Sequence, residues 1–231
     1  MIELRRTSTF LIISILISAS ILTIPISAYA VESSANLMVI EWYGRVTLNV
    51  IPNGDDSSTN QDYELIGVHW YTTANYYINT RNRYGFSVSG VVTTITTSAN
   101  TWDIETSAEV FSYKGTTSRS AGRRDGYNVV AWGTYRRGAI AVTYIWYRGS
   151  RIIETDVIMN TYYSWSLTGV AGKMDVRNIM THEFGHWVGL DDLYSSADYW
   201  LTMYGYSRNG ETYKRDLGSG DILGLEEWYG L

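Results

Sequence analysis

Residues 180–194 read MTHEFGHWVGLDDLY and hold two of the chain's three histidines. On an α-helix, His182 and His186 project from one face a single turn apart, so both imidazoles can reach one metal ion. Glu183 stands beside the first of them and can hold a water and act as its base. This is the H-E-x-x-H pattern of zinc peptidases, whose imidazole nitrogens bind zinc at about 2.0–2.1 Å. The same five letters also fit a structural helix whose histidines meet only backbone or solvent. Gly189 follows three residues after His186, where a positive φ lets the chain leave the helix sharply. The reversed chain then offers Asp191 and Asp192, and zinc accepts carboxylate oxygen as readily as nitrogen.

The bulk properties narrow the classes. The chain has 231 residues and no cysteine, which rules out disulfides and thiolate metal sites. Its formal charge of −5 comes without a basic block, so no nucleic-acid partner is expected. Arg5 and Arg6 precede FLIISILISASILTI and then Ala28-Tyr29-Ala30, which are the three parts of a secretory signal over residues 1–30. An uncleaved membrane anchor is the other reading, since no charge falls between Thr7 and Ala30. Either way the protein is expected to be exported, as a secreted or cell-surface protein. Residues 31–66 form an N-terminal extension or pro-segment that contains the turn-rich PNGDDSSTNQD; before it, LMVIEWYGRVTLNVI reads as a short strand or two.

The catalytic residues need a scaffold, which the remaining chain supplies. SVSGVVTTITTSANTWD reads as a helix despite its β-branched residues, because Val88, Val91, Val92, Ile95 and Ala99 recur at helical spacing. MDVRNIMTHEFGHWVG is a second helix, with Asp175 as N-cap and Gly189 as its stop. GSGDILGLEEWYGL closes the chain as a third. HWYTTANYYIN, AEVFSYKG and YNVVAWGTY read as strands. GAIAVTYIWYRGSRIIETDVIMN reads as two more around a tight turn at Arg148-Gly149-Ser150.

The extended H-E-x-x-H-x-x-G-x-x-D pattern, followed by LTMYGY at 201–206, resembles the metzincin clan of zinc endopeptidases. The likeness covers residues 67–231, with NYYINTRNRYG and the helix ending NTWD similar to the start of a matrixin-type catalytic domain. It implies an α+β fold: a twisted, mixed, mostly parallel five-stranded sheet, an active-site helix and a small C-terminal subdomain. It also implies that His182, His186 and Asp192 hold one catalytic Zn2+, Glu183 is the base, and Met203 is the Met-turn residue beneath the ligands. Asp192, as in the snapalysin-type branch, stands where most of the clan has histidine; Asp191 falls one residue short. Tyr204 and Tyr206 are candidates for lining the cleft, or for packing beneath it. The clan's cysteine cap is absent, and His69 alone remains for a structural zinc, so none is expected.

The expectation is a secreted zinc metalloendopeptidase acting on polypeptides, a monomer that meets a membrane only if its leader is retained. Two alternatives share the residues: an exported surface or adhesion protein on this scaffold, and a zinc amidase acting on a non-protein amide. Residues 139–147 are expected to form the edge strand along which a substrate adds. Asp156 and Asn160 can bind calcium or tie a loop, although their spacing matches no calcium motif.

Overall fold

A computed structural model of the chain describes residues 35–44 and 61–230. The expected leader over residues 1–30 lies outside them. The elements run β1 (Asn36–Gly44), β2 (Ala74–Asn79), α1 (Val88–Asp103), β3 (Phe111–Thr116), β4 (Asn128–Gly133), β5 (Ala139–Arg148) and β6 (Arg151–Asn160). Then follow β7 (Trp165–Ser166), β8 (Met174–Asp175), α2 (Val176–Val188), β9 (Tyr206–Ser207) and α3 (Ser219–Tyr229). The class is α+β, as expected. The main sheet has the order β3-β2-β4-β6-β5-β1-β9, with β7 and β8 paired separately.

Five strands were expected in the sheet, and among the described residues it has seven. β2, β3, β4 and β6 pair in parallel, and β5 joins β6 as an antiparallel hairpin. The sheet does not stop there, because β1 lies antiparallel along β5 and then meets β9 in parallel. The strand expected at the edge therefore has a neighbour on both sides. β9 spans only two residues, too short to carry an alternating pattern. The strand expected over 69–79 begins only at Ala74; His69 makes an isolated bridge to Arg151 instead.

Helix α1 shows how a threonine- and valine-rich segment becomes helical. Ser87 caps it by accepting from Gly90 N at 3.0 Å. Thr94, Thr97 and Thr101 donate their hydroxyls to carbonyls four residues back, at 2.7–3.0 Å, so these side chains cost the helix no unmet polar group. Val91, Ile95, Ala99 and Trp102 form the buried stripe, whereas Val88, expected within it, is exposed. Trp102 reaches across to donate to the Thr181 carbonyl at 2.8 Å, which joins α1 to α2. Every residue of α2 except Arg177 is buried. Such a helix must meet neighbours all round, since a solvent-facing stripe would leave it half exposed.

The residues considered for calcium are taken up by the chain itself. Asp156 accepts from the backbone of Gly122 (2.6 Å), Arg123 (3.1 Å) and Val129 (2.8 Å). Two positions earlier on β6, Glu154 accepts from Asp125 N at 2.6 Å and Gly126 N at 2.8 Å. Together they pin the long β3–β4 connection to the sheet. Asn160 accepts from Tyr135 N and Tyr162 N and donates to the carbonyls of Arg136 and Ala139. Asp156→Ala would orphan three backbone donors, and is expected to lower stability by about 3 kcal/mol in urea unfolding.

Candidate metal centre

The site is assembled at the C-terminal end of α2. Asp175 caps the helix start by accepting from Asn178 N at 2.9 Å, and the Arg215 guanidinium grips both of its oxygens at 2.8 and 2.7 Å. Gly189 ends the helix with φ at 101°, a conformation that costs other residues heavily. A Cβ there would also lie 2.6 Å from the Val68 carbonyl oxygen, so the position has neither the space nor the torsion for a side chain. Beyond it the chain doubles back, with Leu193 and Tyr204 bridged in parallel.

That reversal brings Asp192 to the two histidines. Its Oδ1 lies 3.1 Å from His182 Nε2 and 3.9 Å from His186 Nε2, and the three ligating atoms lie within 4.8 Å of one another. Tetrahedral zinc ligands at about 2.0–2.1 Å from the ion would stand about 3.3 Å apart, so small adjustments suffice for a shared metal. The imidazole planes are nearly perpendicular, at 89°. Asp191 stays outside the group and accepts from Asp192 N at 2.8 Å, steadying the residue that does join. The other oxygen of Asp192 accepts from the Tyr194 hydroxyl at 3.1 Å.

Hydrogen bonds set the tautomer of each ring. His182 Nδ1 lies 2.7 Å from the Thr202 carbonyl, and His186 Nδ1 lies 2.9 Å from the Leu190 carbonyl. A carbonyl only accepts, so both Nδ1 atoms carry a proton, and both Nε2 atoms are turned toward Asp192. Burial lowers the pKa of His182 to about 4, which keeps it neutral. Burial pushes the Asp192 carboxyl upward, and the hydrogen bond from the Tyr194 hydroxyl opposes it. A neutral His182 whose Nδ1 proton is taken up by a carbonyl leaves its Nε2 free for a divalent cation.

Four buried polar atoms here have no hydrogen-bond partner: His182 Nε2, His186 Nε2, Asp192 Oδ1 and Glu183 Oε1. Leaving that many polar atoms unmet in one place is costly, and a cation with a bound water would satisfy all of them. The donor set therefore fits a metal. The other Glu183 oxygen accepts from the Thr143 hydroxyl of β5 at 2.5 Å. Burial raises Glu183 to about 7, against the opposing effects of His186 and Thr143.

Met203 lies beneath the helix, as the residue order suggests. A Cβ on Gly185 would fall 2.1 Å from its sulfur and 2.9 Å from the Trp102 ring, so the helix needs glycine between its two histidines. The Met203 loop is held from α3: Asp221 accepts from Gly218 N (2.8 Å), Thr202 N (2.8 Å) and Met203 N (3.0 Å). Tyr204 is buried and Tyr206 half-buried, packed edge to face on each other. His69 is not brought to the site; it stacks between Tyr71 and Trp228, at 4.4 and 4.1 Å. Sequence reasoning did not single out Asp221, Tyr194, Thr143 or the fully buried Lys214. Only Asp221 carried a local signal, as an acid in the first turn of a helix that begins after Gly218.

No protein-family model matches the chain, and no curated protein matches it. What the fold and the site define is an α+β domain with a mostly parallel sheet and a buried His–His–Asp group able to bind a metal ion. No helix among the described residues is long and apolar enough to cross a membrane.

Two outcomes are expected. Gly185→Ala should displace Met203 and weaken binding of an added divalent metal by roughly tenfold to a hundredfold, read by competition with a coloured chelator. In the metal-free chain, His182 is neutral when folded but protonates near 6.5 when unfolded. Its contribution is therefore complete above pH 6.5 and is lost as pH falls toward 4, roughly 3 kcal/mol in all. Thermal melts of His182→Asn should show a correspondingly shallower loss of stability across that window.

Proposed function

We propose that this chain is an exported zinc-dependent endopeptidase of metzincin-like build. The observation that carries the reading is Glu183: a buried carboxylate, with one oxygen unmet, next to a His–His–Asp group whose lone pairs converge. A site that only held a metal for structure would have no use for that base. Asp192, rather than Asp191, is the aspartate that converges with the histidines, which supports it as the third ligand of a shared metal. The leader-like residues 1–30 support export.

His182, His186 and Asp192 would hold the zinc ion. When bound, zinc supplies Lewis acidity, polarising a peptide carbonyl and making water a better proton donor. The protein does the rest. Glu183 takes the proton from the attacking water and passes it to the leaving nitrogen, while Thr143 keeps the carboxylate aimed. The two Nδ1 hydrogen bonds keep the imidazoles from turning, and Met203 fills the floor below them. A polypeptide would lie extended along β5 through main-chain hydrogen bonds once β1 gives up that edge.

The test compares the purified chain with Glu183→Gln on an unfolded protein substrate. Chelator-sensitive cleavage is expected from the wild type, and at least about a hundredfold less from the variant, with zinc content equal in both. Equal cleavage by the two proteins would refute the role of Glu183, and a chain that takes up no zinc would refute the metal site.

A further inference from the structure

The place where a substrate would add is filled by the protein's own chain. β1 runs antiparallel to β5 from Asn36↔Tyr147 to Tyr43↔Ala139, and its far end pairs with β9 at Tyr43↔Tyr206. It thus lies along the strand that carries Thr143, the residue bonded to Glu183. Its side chains alternate. Met38, Ile40 and Trp42 turn inward onto the core, while Leu37 and Val39 on the other face are exposed.

Trp42 makes the decisive contact. It is fully buried, and its ring stacks on His182 at 3.7 Å between centroids with the planes only 9° apart. The Lys214 ammonium lies 5.0 Å from the centroid of the same indole, anchored by Glu211 at 3.0 Å. The next residue back, Glu41, is held away from the metal ligands. It accepts from Tyr135 Oη at 2.6 Å, Arg136 Nε at 3.0 Å and Tyr43 Oη at 2.6 Å. The strand therefore brings no ligand to the His–His–Asp group; it covers the group by occupying the space beside it.

We propose that Asn36–Gly44 is a built-in occupant of the substrate cleft, a strand that takes a peptide's place along β5 with Trp42 as its plug, and so keeps the metal-loaded chain largely latent, with cleavage slowed rather than abolished. The proposal rests on the peptidase reading above. It separates two properties that a metal-ligating inhibitor would link, because the latent form binds its metal fully.

The test uses the full zinc-loaded chain, Trp42→Ala, and the double variant Val39→Pro/Ile40→Pro. The prolines remove strand donors without emptying the pocket, which guards against a packing defect in Trp42→Ala. Zinc content, cleavage of an unfolded protein and amide exchange over 36–44 and 139–148 are measured on all three. Binding of a synthetic peptide of residues 36–44 is measured on each in a Glu183→Gln background. Expected are one zinc in each, slow exchange of both segments in the wild type alone, peptide binding by the variants alone, and cleavage by the variants at least tenfold faster. Fast exchange of 36–44 in the wild type, or wild-type cleavage as fast as the variants', would overturn the proposal. If no form cleaves but only the variants bind the peptide, the strand does occupy the cleft and it is the peptidase reading that fails.

Discussion

The geometry of the site depends on one buried carboxylate that never touches the His–His–Asp group. Asp221, in the first turn of α3, accepts the backbone N–H groups of Thr202 and Met203. That decides where the Thr202 carbonyl points, and the carbonyl decides the tautomer and tilt of His182. The same loop sets Met203 under Gly185 and returns to pair with Leu193, next to Asp192. A single acid thus couples α3, the Met203 loop, α2 and Asp192. Burial is what makes the arrangement firm, since each of these groups would lose a partner it could not replace with water.

The active helix is held in the same way at its other end. Asp175 caps α2 and is itself gripped by Arg215, so the helix start is tied to the segment leading into α3. Both ends of α2 are therefore referenced to the C-terminal part of the chain, while its flank is referenced to α1 through Trp102. The histidines therefore sit on a helix tied at both ends and along its flank. A metal site needs this, because ligands that wander by an ångström lose their shared ion.

What the sequence disclosed about the molecule was mostly local. The cap of α2 and the turn at Gly189 are written in neighbouring residues, as is the one-turn spacing of His182 and His186. Asp192 was readable because the turn that delivers it begins only three residues earlier. Contacts between distant segments were not readable. Thr143 reaches Glu183 from forty residues away, and Lys214 reaches the Trp42 ring from still further along the chain. The sheet shows the same divide. The β5–β6 hairpin follows from its pattern and its glycine turn, but no periodicity in β5 says that residues 36–44 will lie against it.

β1 also has a role that has nothing to do with chemistry. β9 covers it only at Tyr43 and Gly44, so among the described residues its outer edge is largely unpaired. Glu41 and the rings of Tyr43 and Tyr135 crowd one end of that edge. Were β1 to leave, the ten residues of β5 would become the bare margin of the sheet, and Ala139-Ile140-Ala141-Val142 carries no charge to deter another chain. The departing strand would leave behind a sticky border as well as an open site. A domain released in that way would be open to pairing with other extended chains along that border.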